Sequence, residues 1–315
     1  MQDGNFAVAE QGEFVAERRW PPFLHGAWAL LGQLVKDRVA LTAAIFLCIV
    51  LLAAIFAPYI APHDPTVQDI THRLKPPSWL PGGSEEYLLG TDQLGRDILS
   101  RIIYGGRVSL MVGFFAVLCA GGVGTTLGLI AGYYGGRTDN IIMRLVDVQT
   151  AFPGLLMALA IITMIGPSVR NIIIVLTING WMVYARMIRG TSLAMRQSVF
   201  IDAARVIGAS NRRIIFLHLL PNLASPLITL GTLELARVIL AEAVLSFLGL
   251  GIQPPASSWG LMINDGHTYI TLAWWLVTFP GVAIALTVLS VNLVATWLRA
   301  ITDPLQRTLQ YGARR

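Results

Sequence analysis

The chain has 315 residues, 55% hydrophobic and only 13% charged, with 23 Lys and Arg against 18 Asp and Glu for a formal net charge of +5. Its apolar residues gather in runs of roughly 20, enough to cross a bilayer as helices, and the bases flank these runs instead of forming a soluble basic face, which excludes a nucleic-acid binder. Lipid offers no hydrogen bonds, and the runs lack the alternation of barrel strands. The expected fold is therefore an all-α polytopic membrane protein with about six transmembrane helices.

Residues 1–38 are polar and read as a cytoplasmic N-terminal tail. The first span, residues 39–57 within a segment 39–61, is too long and too far into the chain for a cleaved signal peptide, so it is expected to stay as an anchor. An external segment, 62–107, follows. In it Ile98, Leu99, Ile102 and Ile103 share a helical face while Arg96, Asp97, Arg101 and Arg107 lie elsewhere, which predicts an amphipathic helix on the outer membrane surface. Gly90 and Gly95 bracket Thr91-Asp92, where either side chain can cap a helix start.

Residues 108–298 form a core of five more spans, at 108–133, 145–165, 172–187, 227–248 and 272–298. Pro153 lies inside the third span, and Gly166-Pro167 turns the third tightly into the fourth, where a proline cannot continue the helix. Gly113, Gly121, Gly122, Gly124 and Gly128 mark the second span for close helix packing. Residues 299–315 are a C-terminal tail. The cysteines, Cys48 and Cys119, sit in apolar spans without metal-ligand spacing.

Basic residues resist translocation. An inside N-terminus gathers Arg18, Arg19, Lys36 and Arg38 before the first span, Arg137 and Arg144 between the second and third, and Arg299, Arg307, Arg314 and Arg315 at the end on one side. The connection 190–222 agrees: Arg189, Arg196, Arg205, Arg212 and Arg213 in or beside it face the single acid Asp202, with Arg186 just before. Both termini are expected in the cytoplasm.

Within this connection Ser198 can cap a helix that carries Val199, Ala203, Val206 and Ile207 on one face and Asp202 and Arg205 on another. Gly208 suits a left-handed helix end, and Ser210 can start a second helix through Ile214 and Ile215 toward Pro221. Periodicity alone fits a docking surface and an interfacial helix on lipid headgroups equally well. The chain has no Gly-Lys pair, so it cannot cradle ATP phosphates by the usual glycine-rich loop.

Asp202-Ala203-Ala204, Gly208 and Leu220-Pro221 together resemble the EAA loop of binding-protein-dependent ABC-transporter permeases, with Asp202 where that family usually has Glu and His218 where Ile is general. The block Gly90-Thr91-Asp92-Gln93-Leu94-Gly95-Arg96-Asp97, then Ser100-Arg101, is similar to one typical of peptide and nickel permeases. So are Glu242 with Leu245-Ser246-Phe247-Leu248-Gly249, Ser258-Trp259-Gly260 and Phe279-Pro280-Gly281. Their order resembles the C-type permease of dipeptide and oligopeptide importers. The stretch 292–299 departs from it, lacking the usual Gly-Asp pair.

This resemblance implies a type I importer permease whose coupling helix is gripped by a cytoplasmic ATPase through Phe200, Asp202, Ala203, Ala204, Arg205, Gly208, Arg212, Arg213 and Pro221. It implies a second homologous permease, two ATPase subunits that bind ATP and Mg, and an external peptide-binding protein, in the cytoplasmic membrane of a bacterium. No catalytic residue, cofactor or metal is expected in this chain. Asp92, Arg96, Asp97, Arg101, Pro254, Pro255 and Trp259 are expected to shape the external mouth and gate. Short peptides are the expected cargo, with nickel, haem and glutathione as alternatives.

Three ionisable residues, Glu234, Arg237 and Glu242, fall inside the fifth span. Intramembrane charges face protein or water. The first two are spaced for a mutual ion pair or could lie along the pathway, whereas Glu242 is expected to make an interhelix or gate contact. An ion-coupled carrier is the other transport reading, but it calls for an inverted repeat that the chain does not display. His25, His63, His72, His218 and His267 are scattered, and no active site assembles from them.

Overall fold

A computed structural model of the chain describes residues 32–302; most of the expected N-terminal tail and nearly all of the C-terminal tail lie outside them. The first span is α1, Arg38–Ile55, started by Asp37, whose carboxylate accepts from the Val39 and Ala40 amides at 3.1 Å. Ile45, Ile49 and Leu52 are exposed along it, as a lipid-facing helix requires.

The second span differs from the expectation. Helix α2 runs unbroken over 37 residues, Ile98–Tyr134, so the separate amphipathic helix predicted from Ile98 to Ile103 is the first turns of α2. Ile98 and Arg101, expected on different faces, are both buried there. Gly105-Gly106 lies inside this helix and admits a large neighbour: a Cβ at Gly106 would lie 2.9 Å from Cζ2 of Trp259.

Four residues apart, Gly124, Gly128 and Gly132 press α2 against α5, Val169–Met195. A Cβ at Gly128 would stand 2.6 Å from the Ala185 carbonyl oxygen, and one at Gly132 2.6 Å from the Ser192 Cβ. This is small-residue helix packing as predicted, directed at a neighbour within the chain. Replacing Gly128 with valine is expected to cost about 1–3 kcal/mol by overpacking. A purified variant that melts with the wild type would show that the backbones can separate freely.

The expected third span, 145–165, is two helices: α3, Gly136–Thr150, and α4, Gly154–Ile165, meet at 88°. Pro153 lacks an amide hydrogen and restricts the residue before it, which breaks the run. The polar side of α3 also belongs outside hydrocarbon. Arg189 of α5 pairs with Asp139 at 2.8 and 2.6 Å, and Trp181 donates to Gln149 at 2.9 Å. At 12 residues, α4 rises about 18 Å, short of a bilayer core. Gly166 ends it at φ +84° and Ser168 caps α5, which extends past the expected end at residue 187.

After α5 come α6, Val199–Val206; α7, Ala224–Phe247; α8, Trp259–Gly266; and α9, Trp275–Thr302, with Pro280 inside it. Among the described residues, α1, α2, α5 and α9 are long and apolar enough to span. The count becomes six if the bent pairs α3/α4 and Asn211–Asn222/α7 are each one crossing. Val112, Ala116, Ile162, Ile172, Val175 and Val238 form the central core. One end of the bundle is closed around Leu129, Tyr133, Ile188 and Ile214, the other around Ile98, Trp259 and Trp275. Cys48 and Cys119 are both free and exposed.

Candidate functional site

At the first end, α6 buries Ile201 and Ala204 against Leu129, Tyr133 and Ile188 and turns its other side outward. Val199, Val206 and Ile207, grouped on one face by their helical spacing, are 85%, 87% and 83% exposed. Periodicity grouped the right residues, but it cannot tell which of two apolar faces meets the protein. Phe200, Asp202, Ala203 and Arg205 are exposed as well. Arg205 donates to Asp202 at 2.9 Å, the i,i+3 pair that spacing allows.

Ser198 stands at the N-cap but donates its hydroxyl to the Met195 carbonyl at 2.5 Å, so it ties α6 to α5 instead of capping. The helix end is as predicted. Gly208 takes φ +81°, its amide donates to the Arg205 carbonyl and that of Ala209 to the Ala204 carbonyl, both at 3.0 Å. These are the paired bonds of a Schellman motif. Ser210 then accepts from the Arg213 amide at 3.4 Å, and Tyr133 of α2 donates to Asn211 at 2.7 Å. Arg212 and Arg213 are exposed.

Ile214–Leu219 widens into a π-helical turn just ahead of Pro221, and the chain bends 59° into α7. A proline cannot donate back into the ladder, so it sits where the ladder is already interrupted. The result is a short helix held at its inner face, with a fixed exit angle and a direct run into a membrane-crossing helix.

The opposite end holds an ion cluster. Arg96 donates through Nε to Asp92 at 2.6 Å, Arg101 pairs with the same carboxylate, and both arginines reach Asp265 of α8, at 3.2 and 2.9 Å. Asp92, Arg96 and Arg101 are buried. Asp92 also accepts from the Leu94 and Arg96 amides at 2.8 and 3.0 Å, fixing the turn around Gly95. Asp97 stands apart and caps α2 by accepting from the Ser100 amide and hydroxyl at 2.9 and 2.6 Å. Nearby, the Thr71 hydroxyl and then His72 hold half-buried Asp69 down at about 2.

Trp259 is buried and donates to the Ile102 carbonyl at 2.9 Å. Pro254 and Pro255 are exposed, and Pro255 borders a cavity of about 690 Å³ with His63, Tyr104 and Arg107. Only Asp92, Arg96 and Arg101 of the expected mouth residues thus converge. Asp265 is the member that the sequence concealed.

In α7, Arg237 donates to Glu234 at 2.8 Å. Glu242 is fully buried and accepts from Ser109 of α2 at 2.8 Å and from Ser246 at 2.7 Å, while the Ser246 hydroxyl accepts from the Ile252 amide at 3.2 Å. This carboxylate joins α2, α7 and the segment after α7. Ser246 is the i+4 neighbour of Glu242, whereas nothing local pairs Ser109 with it across 133 residues. Glu242→Gln keeps an acceptor for the hydroxyls, whereas Glu242→Leu strands them at about 1–3 kcal/mol. The Leu variant is expected to melt lower, and equal melting of the two would show that the hydroxyl contacts contribute nothing.

A groove of about 660 Å³ runs from Arg212 beside α6 toward Gly231 and Tyr184 between α2 and α7. Among the described residues, no group of three His, Cys, Asp or Glu is placed to hold a metal ion.

Residues 124–308 match the model for the binding-protein-dependent transport system inner membrane component, and residues 23–77 that for the N-terminal TM domain of oligopeptide transport permease C. The chain is 41% identical over 285 residues to the di/tripeptide transport system permease protein DppC of Pseudomonas aeruginosa, covering 90% of each. It is 43% identical to the dipeptide transport system permease protein DppC of Haemophilus influenzae, over 85% of this chain and 91% of that one. Against the glutathione transport system permease protein GsiD of Pectobacterium atrosepticum the figures are 40%, 86% and 89%. A chain of the MetNI methionine ABC transporter superposes with a TM-score of 0.52 at 19% identity, covering 64% of this chain and 97% of that one, a likeness of fold alone.

Proposed function

The chain belongs to the family of binding-protein-dependent transport system inner membrane components, and from that membership we propose that it is the peptide-conducting permease subunit of an ATP-driven importer. It is a multi-pass membrane protein and a transporter subunit. The observation that carries the energetic half of the reading is the outward face of α6, with Val199, Val206 and Ile207 uncovered around the Asp202–Arg205 pair. Apolar side chains so exposed at the polar end of a bundle suit burial in a partner.

In this reading α6 seats in a cleft of a cytoplasmic ATPase subunit, which supplies the ATP and Mg site that the chain lacks. Closure of two such subunits around ATP moves α6. Ile201 and Ala204 pass that movement to α2 and α5, and the Schellman turn with the run 211–222 passes it to α7. A second homologous permease completes the pathway, and an external binding protein delivers the peptide. The arginines around α6 support a cytoplasmic setting for that end, and with it for both termini, in a bacterial inner membrane.

The test is purification of the tagged chain from its own host in mild detergent, with mass spectrometry of its companions, followed by uptake of labelled di- to pentapeptides. Recovery of a second permease and ABC ATPases, with ATP-dependent peptide uptake, is the expected result. A chain that purifies alone and transports in liposomes without ATP would overturn the reading in favour of an ion-coupled carrier. The similarity to a glutathione permease makes glutathione the first competing cargo, ahead of nickel and haem.

A further inference from the structure

Near the middle of α7, about 15 Å from its nearer end at 1.5 Å per residue, stands a guanidinium that lipid does not hold. The Arg237 side chain is 69% exposed, and Leu240, Val244 and Phe247 continue the same open stripe at helical spacing. At mid-helix an arginine facing lipid is costly, and intramembrane charges almost always face protein or a water-filled cavity. The stripe therefore faces something other than hydrocarbon.

Its ion pair is asymmetric. Glu234 is packed, with its side chain 9% exposed, while Arg237 remains open. A pair serving only to neutralise two charges inside a helix contact would bury both. Here the carboxylate anchors one Nη at 2.8 Å, and among the described residues the guanidinium has no second partner. Glu234 thus acts as a positioning residue that fixes the fork and leaves its other N–H groups facing outward.

Mostly apolar side chains line the nearby groove, with Arg212 and Tyr184 among its few polar groups. One turn before Glu234, Gly231 faces the Tyr184 hydroxyl, which is buried without a hydrogen-bond partner, at the inner end of the groove that begins at Arg212. A buried hydroxyl left without a protein partner at the edge of a groove points to a water or a passing polar group. Arg212, Tyr184, Glu234 and Arg237 follow one another from the α6 end to mid-membrane.

We propose that Arg237 lines the translocation pathway and receives the carboxylate of the passing peptide, an inference that rests on the permease reading above. A guanidinium matches a carboxylate in two-pronged geometry. The C-terminal carboxylate is the one anion that every linear peptide carries whatever its sequence.

The test uses the assembled transporter with Cys48→Ser, Cys119→Ser and Arg237→Cys, and the same background with Arg237 intact as the reagent control. The thiol is expected to react with charged methanethiosulfonates in lipid nanodiscs. Peptide uptake in proteoliposomes is expected to fall about tenfold or more, to recover severalfold with the aminoethyl adduct, which restores a cation, and not with the sulfonatoethyl adduct. A thiol that no charged reagent reaches, or uptake equal to that of the control, overturns the proposal. If the cysteine variant does not assemble, Arg237→Lys and Arg237→Gln carry the test. Uptake kept by Lys and lost by Gln supports it, equal uptake overturns it, and failure of both to assemble makes Arg237 a subunit contact and overturns it too. A control that imports no peptide at all sinks the permease reading instead, and thiol access then decides alone whether the stripe faces water.

Discussion

Replacing Gly208 with valine is expected to leave the protein in the membrane while removing most ATP-driven uptake. No atom lies within 4 Å of the place a Cβ would occupy, so the effect is one of backbone conformation and not of collision. At φ +81° an L residue is strained by about 1–2 kcal/mol, a factor of about 5–30 in any equilibrium that depends on this helix end. A β-branched residue is the worst choice there. Relief of the strain would release the two Schellman bonds and the angle at which the chain leaves α6 for α7.

Asn tolerates the left-handed region better than Ala, and Ala better than Val. Uptake should therefore fall in the order Gly, Asn, Ala, Val, while ATP hydrolysis by the complex falls less. Side-by-side measurement of peptide uptake and phosphate release in proteoliposomes reads this directly. Uptake by the Val variant at the wild-type rate would remove Gly208 from the coupling path.

Asp202→Ala is the complementary experiment. The Asp202–Arg205 pair is exposed, and such a pair contributes only a few tenths of a kcal/mol, about 0.2–0.5 in helices. Its loss should not move the melting temperature of the complex. A fall in uptake with unchanged melting would place the role of Asp202 in the contact with the ATPase.

What the sequence made legible was local chemistry. Gly208 and Ser210 marked a helix end and a helix start because each acts on its own few residues, and Gly166-Pro167 did so for the α4–α5 turn. The glycines of α2 announced close packing because nothing else at that spacing lets helix backbones touch. Where the reading failed, the deciding partner was distant or the pattern symmetric. Gly105-Gly106 makes room for Trp259, far along the chain, which no local pattern announces. Val199, Val206 and Ile207 share a face, but a docking surface and a helix resting on lipid have the same periodicity. Pro153 was noted inside a span, and only the polar side of α3, tied to α5 by Asp139 and Gln149, turned a kink into a right-angled break.

Asp265 shows the same limit at its most severe. It meets Arg96 and Arg101 across 169 and 164 residues, and in its own neighbourhood it reads as one more polar residue of a turn. Truncating Arg101 to alanine is the substitution expected to cost most in this chain. Its side chain is 2% exposed and bridges Asp92 to Asp265; without it two carboxylates converge on Arg96 alone, and breaking such a buried network by removing one partner costs about 3–5 kcal/mol. Arg101→Lys should fall between, since an ammonium keeps the charge but lacks the fork that spans two acids. Removing Asp92 as well should not rescue the alanine variant, because that carboxylate also holds the Leu94 and Arg96 amides in the turn ahead of α2. Melting of the purified complex tests the series. If Arg101→Ala melts with the wild type, the tie between the segment before α2 and α8 must come from the aromatic contacts of Trp259 and Trp275, and the ion cluster would be left with a role in partner contact at the mouth.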